Sequence, residues 1–189
     1  MKLRLSALIL AVSTSFAFAA SDGSENPMVG GAAMFSDKNI VENASAAPNL
    51  KTLVAAVKAA GLVETLASPG PFTVFAPTNA AFEKIPAADR AKLMKNKKEL
   101  AKVLKYHVVG GTWTSTTLMA AIKQGEGFVQ LPTLSGHKLK ATVQEGKVML
   151  TDEMGNSFYV TNADILATNG LVHIVDGVAH PVQEAIAKQ

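Results

Sequence analysis

Pro71-Phe72-Thr73-Val74-Phe75-Ala76-Pro77-Thr78-Asn79-Ala80-Ala81-Phe82 and Asn169-Gly170-Leu171-Val172-His173-Ile174-Val175-Asp176-Gly177-Val178 are the two stretches whose reading decides the fold. In the first, Phe72, Val74 and Phe75 form a dense apolar run of β type that has to be buried. Pro77 then sets a rigid bend, and Thr78 or Asn79 can accept backbone N–H groups where a helical turn carrying Phe82 begins. In the second, Leu171, His173 and Val175 share one face by period two, and Val172 and Ile174 share the other. Both faces are largely apolar, which describes a central strand covered on both sides. Asn169-Gly170 ahead of it predicts a tight hairpin turn, with glycine supplying a positive φ.

Upstream of these stretches the pattern is helical. Leu53, Val54 and Val57 recur at the spacing of one buried helix face, with Asn49 placed to cap the start and Gly61 to end it in the left-handed conformation. A short apolar turn, Leu62 to Leu66, precedes the break at Pro69-Gly70-Pro71. Pro86 fits the first turn of a helix continuing from Ala87 to Met94. Asn96 followed by Glu99 resembles a capping box and opens a helix with Leu100, Val103 and Leu104 on one face. A further helix is predicted from Thr116 to Lys123, closed by Gly125.

Downstream the chain alternates. Leu139, Ala141 and Val143 point one way, Glu145-Gly146 turns, and Val148 and Leu150 return. Phe158 to Val160 is a strand, and Ile165 to Ala167 pairs with Leu171 to Val175. Helices gathered early and antiparallel strands gathered late predict an α+β domain rather than a parallel βαβ sheet.

The N-terminus has a different character. Lys2 and Arg4 precede an apolar run, Leu5 to Val12, too short to span a bilayer, and Ala17-Phe18-Ala19 supplies small residues for cleavage before Ala20. Residues 1–19 are therefore read as a signal peptide, which places the mature chain in the periplasm or outside the cell with no stable membrane insertion. Residues 20–36, small, polar and Gly-rich, are read as a flexible segment, and 37–185 as one domain. The chain has 18 Lys and Arg against 15 Asp and Glu. Loss of Lys2 and Arg4 leaves 16 against 15, so the mature net charge is +1. No nucleic-acid partner is expected, and Lys95, Lys97 and Lys98 at a helix start are read as solvated. The absence of cysteine excludes disulfides and thiolate metal or redox sites.

Catalytic and cofactor patterns are missing. There is no Gly-x-Ser-x-Gly elbow, no P-loop and no dinucleotide glycine fingerprint. His107, His137, His173 and His180 lack metal-ligand spacing, and the methionines are scattered singly. A histidine inside a strand, as His173 is, most often has a hydrogen-bonded structural role. Neither a cofactor nor a metal is expected.

Both opening stretches resemble the signatures of the fasciclin, or FAS1, family, with Tyr106-His107 followed by Val108-Val109 matching the tyrosine–histidine motif between them. The likeness runs from Lys38 to Val182 and is strongest to single-domain exported bacterial members. It implies the FAS1 fold, two antiparallel β-sheets forming a wedge with helices packed along one side. It also implies a non-catalytic module in cell adhesion or attachment to a surface or matrix component. In animal members integrin binding is attributed to the tyrosine–histidine region and to an Asn-x-Asp-Ile segment, here Asn162-Ala163-Asp164-Ile165. The resemblance thus makes Tyr106, His107, Asp164 and Ile165 candidate partner-binding residues. Some algal members bind carotenoids. A carrier of a small apolar ligand is accordingly the alternative, with the lone tryptophan, Trp113, and Phe128 as candidate contacts.

Overall fold

The computed structural model describes residues 26–181. The signal-peptide reading, residues 20–25 and the domain's last residues, 182–185, lie outside the described residues. Within the segment read as flexible, the described part is folded. Strands β1 (Met28–Val29) and β2 (Ala32–Ala33) pair around Gly30 and Gly31, and Val29 and Met34 are buried in the main core. The Met34 N–H donates to Pro27 O at 3.0 Å, so this part of the segment read as flexible packs against the domain.

The helices follow in order: α1 (Ile40–Ala46), a 3₁₀ turn (Pro48–Leu50), α2 (Lys51–Ala60) and α3 (Val63–Ala67). After β3 (Phe72–Pro77) come α4 (Asn79–Glu83), α5 (Ala87–Lys95) and α6 (Lys97–Tyr106). The expected caps on α4 and α6 form, since Thr78 accepts from the N–H of Ala81 and Asn96 from that of Glu99. Gly61 ends α2 at φ 69°. Asn49 does not cap α2. The Thr52 N–H donates instead to Asn79 Oδ1 at 3.0 Å, while Asn79 Nδ2 donates to Pro48 O at 3.0 Å.

Strands β4 (Val108–Gly110), β5 (Phe128–Pro132), β6 (Lys138–Gln144), β7 (Lys147–Thr151), β8 (Ser157–Ala167) and β9 (Gly170–Val175) complete the order, with helix α7 (Ser115–Gln124) between β4 and β5. Across the sheet the strands run β4-β3-β9-β8-β7-β6-β5. Every neighbouring pair is antiparallel except β3 and β9, which run parallel with Phe75 beside His173. Strand β8 belongs to both halves of the wedge. Its start pairs with β7, its end pairs with β9, and register shifts between Val160 and Ile165 bend it. At the far edges, Val109 bridges Thr133 and the Leu134 N–H donates to Val108 O, drawing the open sides together.

The predicted hairpin before β9 forms, but Ala167 faces Gly170, so Thr168-Asn169 occupy the turn. Gly170 serves another purpose: at φ 153° its absent Cβ would lie 2.0 Å from Phe72 O. Glycine there lets β9 approach the first residue of β3.

Alternation divides the core in two. Val74 and Ala76 of β3, with Val172 and Ile174 of β9, face helices α1 to α6. Phe75 and Val175 face into the wedge, among Leu131, Leu139, Leu150 and Phe158. Helix α7 lies on this second side, where Leu118 and Ile122 close the wedge interior. A fully buried side chain the size of Phe75 stabilises the fold by roughly 2–3 kcal/mol.

Candidate functional site

Tyr106 ends α6 and His107 follows it, with the buried face of that helix directing both inward. Tyr106 is wholly buried: its hydroxyl donates to Lys138 O at 2.8 Å and accepts from the Glu153 N–H at 3.1 Å. Burial pushes its pKa up to about 12. His107 is equally enclosed. Nδ1–H donates to Val103 O at 2.8 Å and Nε2 accepts from the Ala179 N–H at 2.9 Å, which defines a neutral ring. Burial holds its pKa down to about 4. Beside it, Asp152 accepts from the backbone N–H groups of Met154, Asn156 and His180. Together His107 and Asp152 pin the segment that follows β9.

Asp164 sits in the bend of β8 with φ 59°, a conformation unusual for a non-glycine residue. Its carboxylate accepts from Ser115 N at 2.7 Å and from the Ser115 hydroxyl, at the positive end of α7. The Asp164 N–H donates to His173 Nδ1 at 3.3 Å, and His173 Nε2–H donates to Trp113 O at 2.7 Å. The His173 ring stacks on Phe75 with centroids 5.4 Å apart. Burial lowers the His173 pKa. Trp113 is held by its N–H on Thr73 Oγ1 and by its indole N–H on Gly110 O.

This geometry resembles a catalytic triad only in composition. The Asp164 carboxylate meets serine, but histidine meets the backbone of Asp164, not its carboxylate. Both nitrogens of His107, and both of His173, are occupied by backbone groups, so neither ring has a free position to take a proton from a substrate. The arrangement orients α7, the β8 bend and the Trp113 loop relative to one another.

The candidate contact residues therefore separate. Tyr106, His107 and Ile165 are buried, with exposures of 0, 1 and 1%, and burial withholds them from direct contact with a macromolecular partner. Asp164 is half-buried and occupied by Ser115. Trp113 packs on the wedge core, whereas Phe128 is exposed under the Lys140 ammonium, 4.8 Å from its ring centroid. An apolar cavity lies elsewhere, between the helices and the sheet, lined by Ile40, Leu53, Val57, Val74, Leu104 and Val172 among others. It measures about 30 Å³, and neither Trp113 nor Phe128 lines it. Among the described residues no three His, Asp or Glu side chains gather as a metal site, and no helix is long and apolar enough to cross a membrane. Sequence reading missed Ser115, Ala179 and Asp152 because their partners come from distant segments. The Thr114 cap on α7, accepting from Thr117 N–H, was the one local signal near Ser115.

The fasciclin domain family matches residues 48–181. Protein sll1483 of a Synechocystis strain is 43% identical over 159 residues, which cover 83% of this chain and 81% of that protein. Pig transforming growth factor-beta-induced protein ig-h3 is 43% identical over 129 residues, 68% of this chain but 17% of that protein. Immunogenic protein MPB70 of Mycobacterium bovis is 38% identical over 148 residues, 73% of this chain and 66% of that one. Among solved structures, a FAS1 domain pair from the insect cell adhesion molecule Fasciclin I superposes with a TM-score of 0.66 at 19% identity. It covers 78% of this chain and 51% of the pair, a likeness of fold alone.

Proposed function

The chain belongs to the fasciclin domain family, and on that premise we propose that it is an exported, non-catalytic interaction module serving attachment to a surface or matrix component. One observation carries the reading. The polar atoms of the family motifs are spent on the protein's own backbone: Tyr106 on Lys138 and Glu153, His107 on Val103 and Ala179, His173 on Trp113 and Asp164. Such motifs build a scaffold, and recognition is left to the outer surface. The signal-peptide character of residues 1–19 supports export, and the description of the Fasciclin I domain pair as part of a cell adhesion molecule supports attachment.

Deleting the gene is expected to reduce cell attachment to matrix-coated surfaces, with purified chain 20–189 restoring it. Unchanged attachment across several surface chemistries would sink the reading. Export is tested separately by fractionation and N-terminal sequencing, with Ala20 expected as the first residue.

The carrier alternative has the apolar cavity in its favour. At about 30 Å³ that cavity is far too small for a carotenoid- or lipid-like molecule, so such a ligand requires α1 and α2 to part from the sheet. Titrating such ligands while following Trp113 fluorescence and absorbance in the bound fraction decides between the two.

A further inference from the structure

Helices α5 and α6, joined at Asn96, carry a concentration of charge that the overall balance conceals. Residues 90–105 hold Arg90 and six lysines (Lys92, Lys95, Lys97, Lys98, Lys102, Lys105) against a single acid, Glu99. The rest of the mature chain has nine basic residues against fourteen acidic ones. A chain of net charge +1 is therefore split: with Asp89 of α5 counted, whose carboxylate pairs with Lys92 at 3.5 Å, the two helices carry +5 and the remainder −4. Such a split orients the protein in any charged field.

Placement on the helices sharpens this. Leu93 of α5 and Leu100, Val103 and Leu104 of α6 are buried, which turns the opposite faces to solvent. Lys98, Lys102 and Lys105 recur at i, i+4 and i+7, forming one stripe about 10 Å long. Lys92, Lys95, Lys97, Lys98 and Lys102 are exposed. Lys95, Lys97 and Lys98, read from sequence as solvated at a helix start, are thus joined by Lys92 and Lys102 on the exposed faces of the same two helices. Folding does not account for them all. Lys97 and Lys98 occupy the first turn of α6, where the helix dipole disfavours cations. Arg90 differs from the lysines: its guanidinium turns back toward Phe82 O.

We propose that the α5–α6 lysine hairpin is the docking surface for an acidic polysaccharide, a carboxylate-bearing linear polymer of the kind found in an extracellular matrix. This rests on the interaction-module reading and supplies its partner class. The composition of the hairpin discriminates between polyanions. None of the exposed large apolar side chains lies within residues 87–106, so no wedge enters a membrane. No exposed aromatic stands there to stack on bases. Lysine dominates over arginine, giving separated, flexible point charges that suit a diffuse, hydrated polyanion rather than the planar bidentate recognition of single anionic groups. Spaced ammonium groups on a rigid helix suit successive carboxylates along a hydrated polymer, and binding of this kind weakens steeply with salt.

The test uses chain 20–189 with alginate as probe, against dextran, duplex DNA and phosphatidylglycerol vesicles. Alginate is expected to bind best and to be released by added salt, while neutral dextran does not bind. The variant Lys92→Gln/Lys95→Gln/Lys98→Gln/Lys102→Gln/Lys105→Gln, with an unchanged circular dichroism spectrum, is expected to lose at least tenfold in alginate affinity. Equal binding by wild type and variant overturns the proposal, as does tighter binding to DNA or vesicles than to alginate. Because the attachment assay reads a different quantity, the two failures are separable. Attachment unchanged by gene deletion, with alginate binding intact, sinks the adhesive reading, and attachment without lysine-dependent alginate binding sinks this site.

Discussion

His107 Nε2 accepts the backbone N–H of Ala179 at 2.9 Å across 72 residues of sequence. The bond requires an unprotonated nitrogen, because a protonated ring would set N–H against N–H in a site closed to water. Of the charged groups nearby, His180 disfavours the cation and Asp152 favours it, both more weakly than burial. The unfolded chain takes up this proton near the ordinary value of 6.5 and the folded one near 4. The stability contributed by neutral His107 is therefore complete above 6.5 and declines as pH falls through that window. The total is on the order of 3 kcal/mol, with no further loss from this group below pH 4. Urea unfolding midpoints should drop between pH 6.5 and 4, and less steeply in His107→Gln. The lowered His173 acts with the same sign, so the variant's profile is shallower, not flat. A wild-type midpoint constant across the window would overturn this account.

Gly170→Ala should be among the most damaging single changes. The new methyl would meet Phe72 O at 2.0 Å in a backbone conformation that disfavours any side chain. We expect a loss of at least ~3 kcal/mol or no folding at all. Gly110→Ala on β4 meets open space and should stay within about 0.5 kcal/mol of wild type by thermal melting.

Asn169 ties three segments: Oδ1 accepts from the Ile40 N–H at 3.1 Å, while Nδ2 donates to Leu66 O at 2.7 Å and Ser68 O at 3.0 Å. Asn169→Asp keeps the shape but turns carboxylate oxygen toward two carbonyls. It should cost more than Asn169→Ala, with both losses roughly 2 kcal/mol or larger. The reverse order in chemical denaturation would overturn this account.

Asn79→Ala should cost about 1 kcal/mol, because it uncaps α2 at Thr52. Asn49→Ala should cost nothing or stabilise slightly, since Asn49 Oδ1 is buried without a hydrogen-bond partner. Thermal melts of the pair separate the two asparagines, and equal losses would restore Asn49 as the cap.

These two residues show where sequence was legible. Caps and turns whose partners lie within four residues were readable: Thr78, Gly61, Asn96 and Glu145-Gly146 all stand where local chemistry puts them. The capping box Asn39–Glu42 carried the same signal as Asn96–Glu99 but opens a helix of only seven residues, too short for periodicity to announce. The Asn79 cap on α2 was beyond local reading because it bridges 27 residues. The parallel pairing of β3 with β9 was hidden for the same reason. At the candidate site, motif identity located Tyr106 and His107 without indicating their direction. Polar side chains face inward only when remote backbone groups await them, and those groups belong to Lys138, Glu153 and Ala179.

The position of β9 has a consequence for the order in which the molecule is made. It lies between β3 and β8, and its parallel partner β3 ends at Pro77, long before Gly170 is synthesised. A ribosome or translocation pore delivering the chain N-terminus first thus releases β3 and β8 with the place between them empty. The sheet cannot close its centre until Val175 has emerged, and contacts of such sequence separation form slowly. Closure of the sheet's centre is thereby made a late event by topology alone, and β9 enters between two partners made before it.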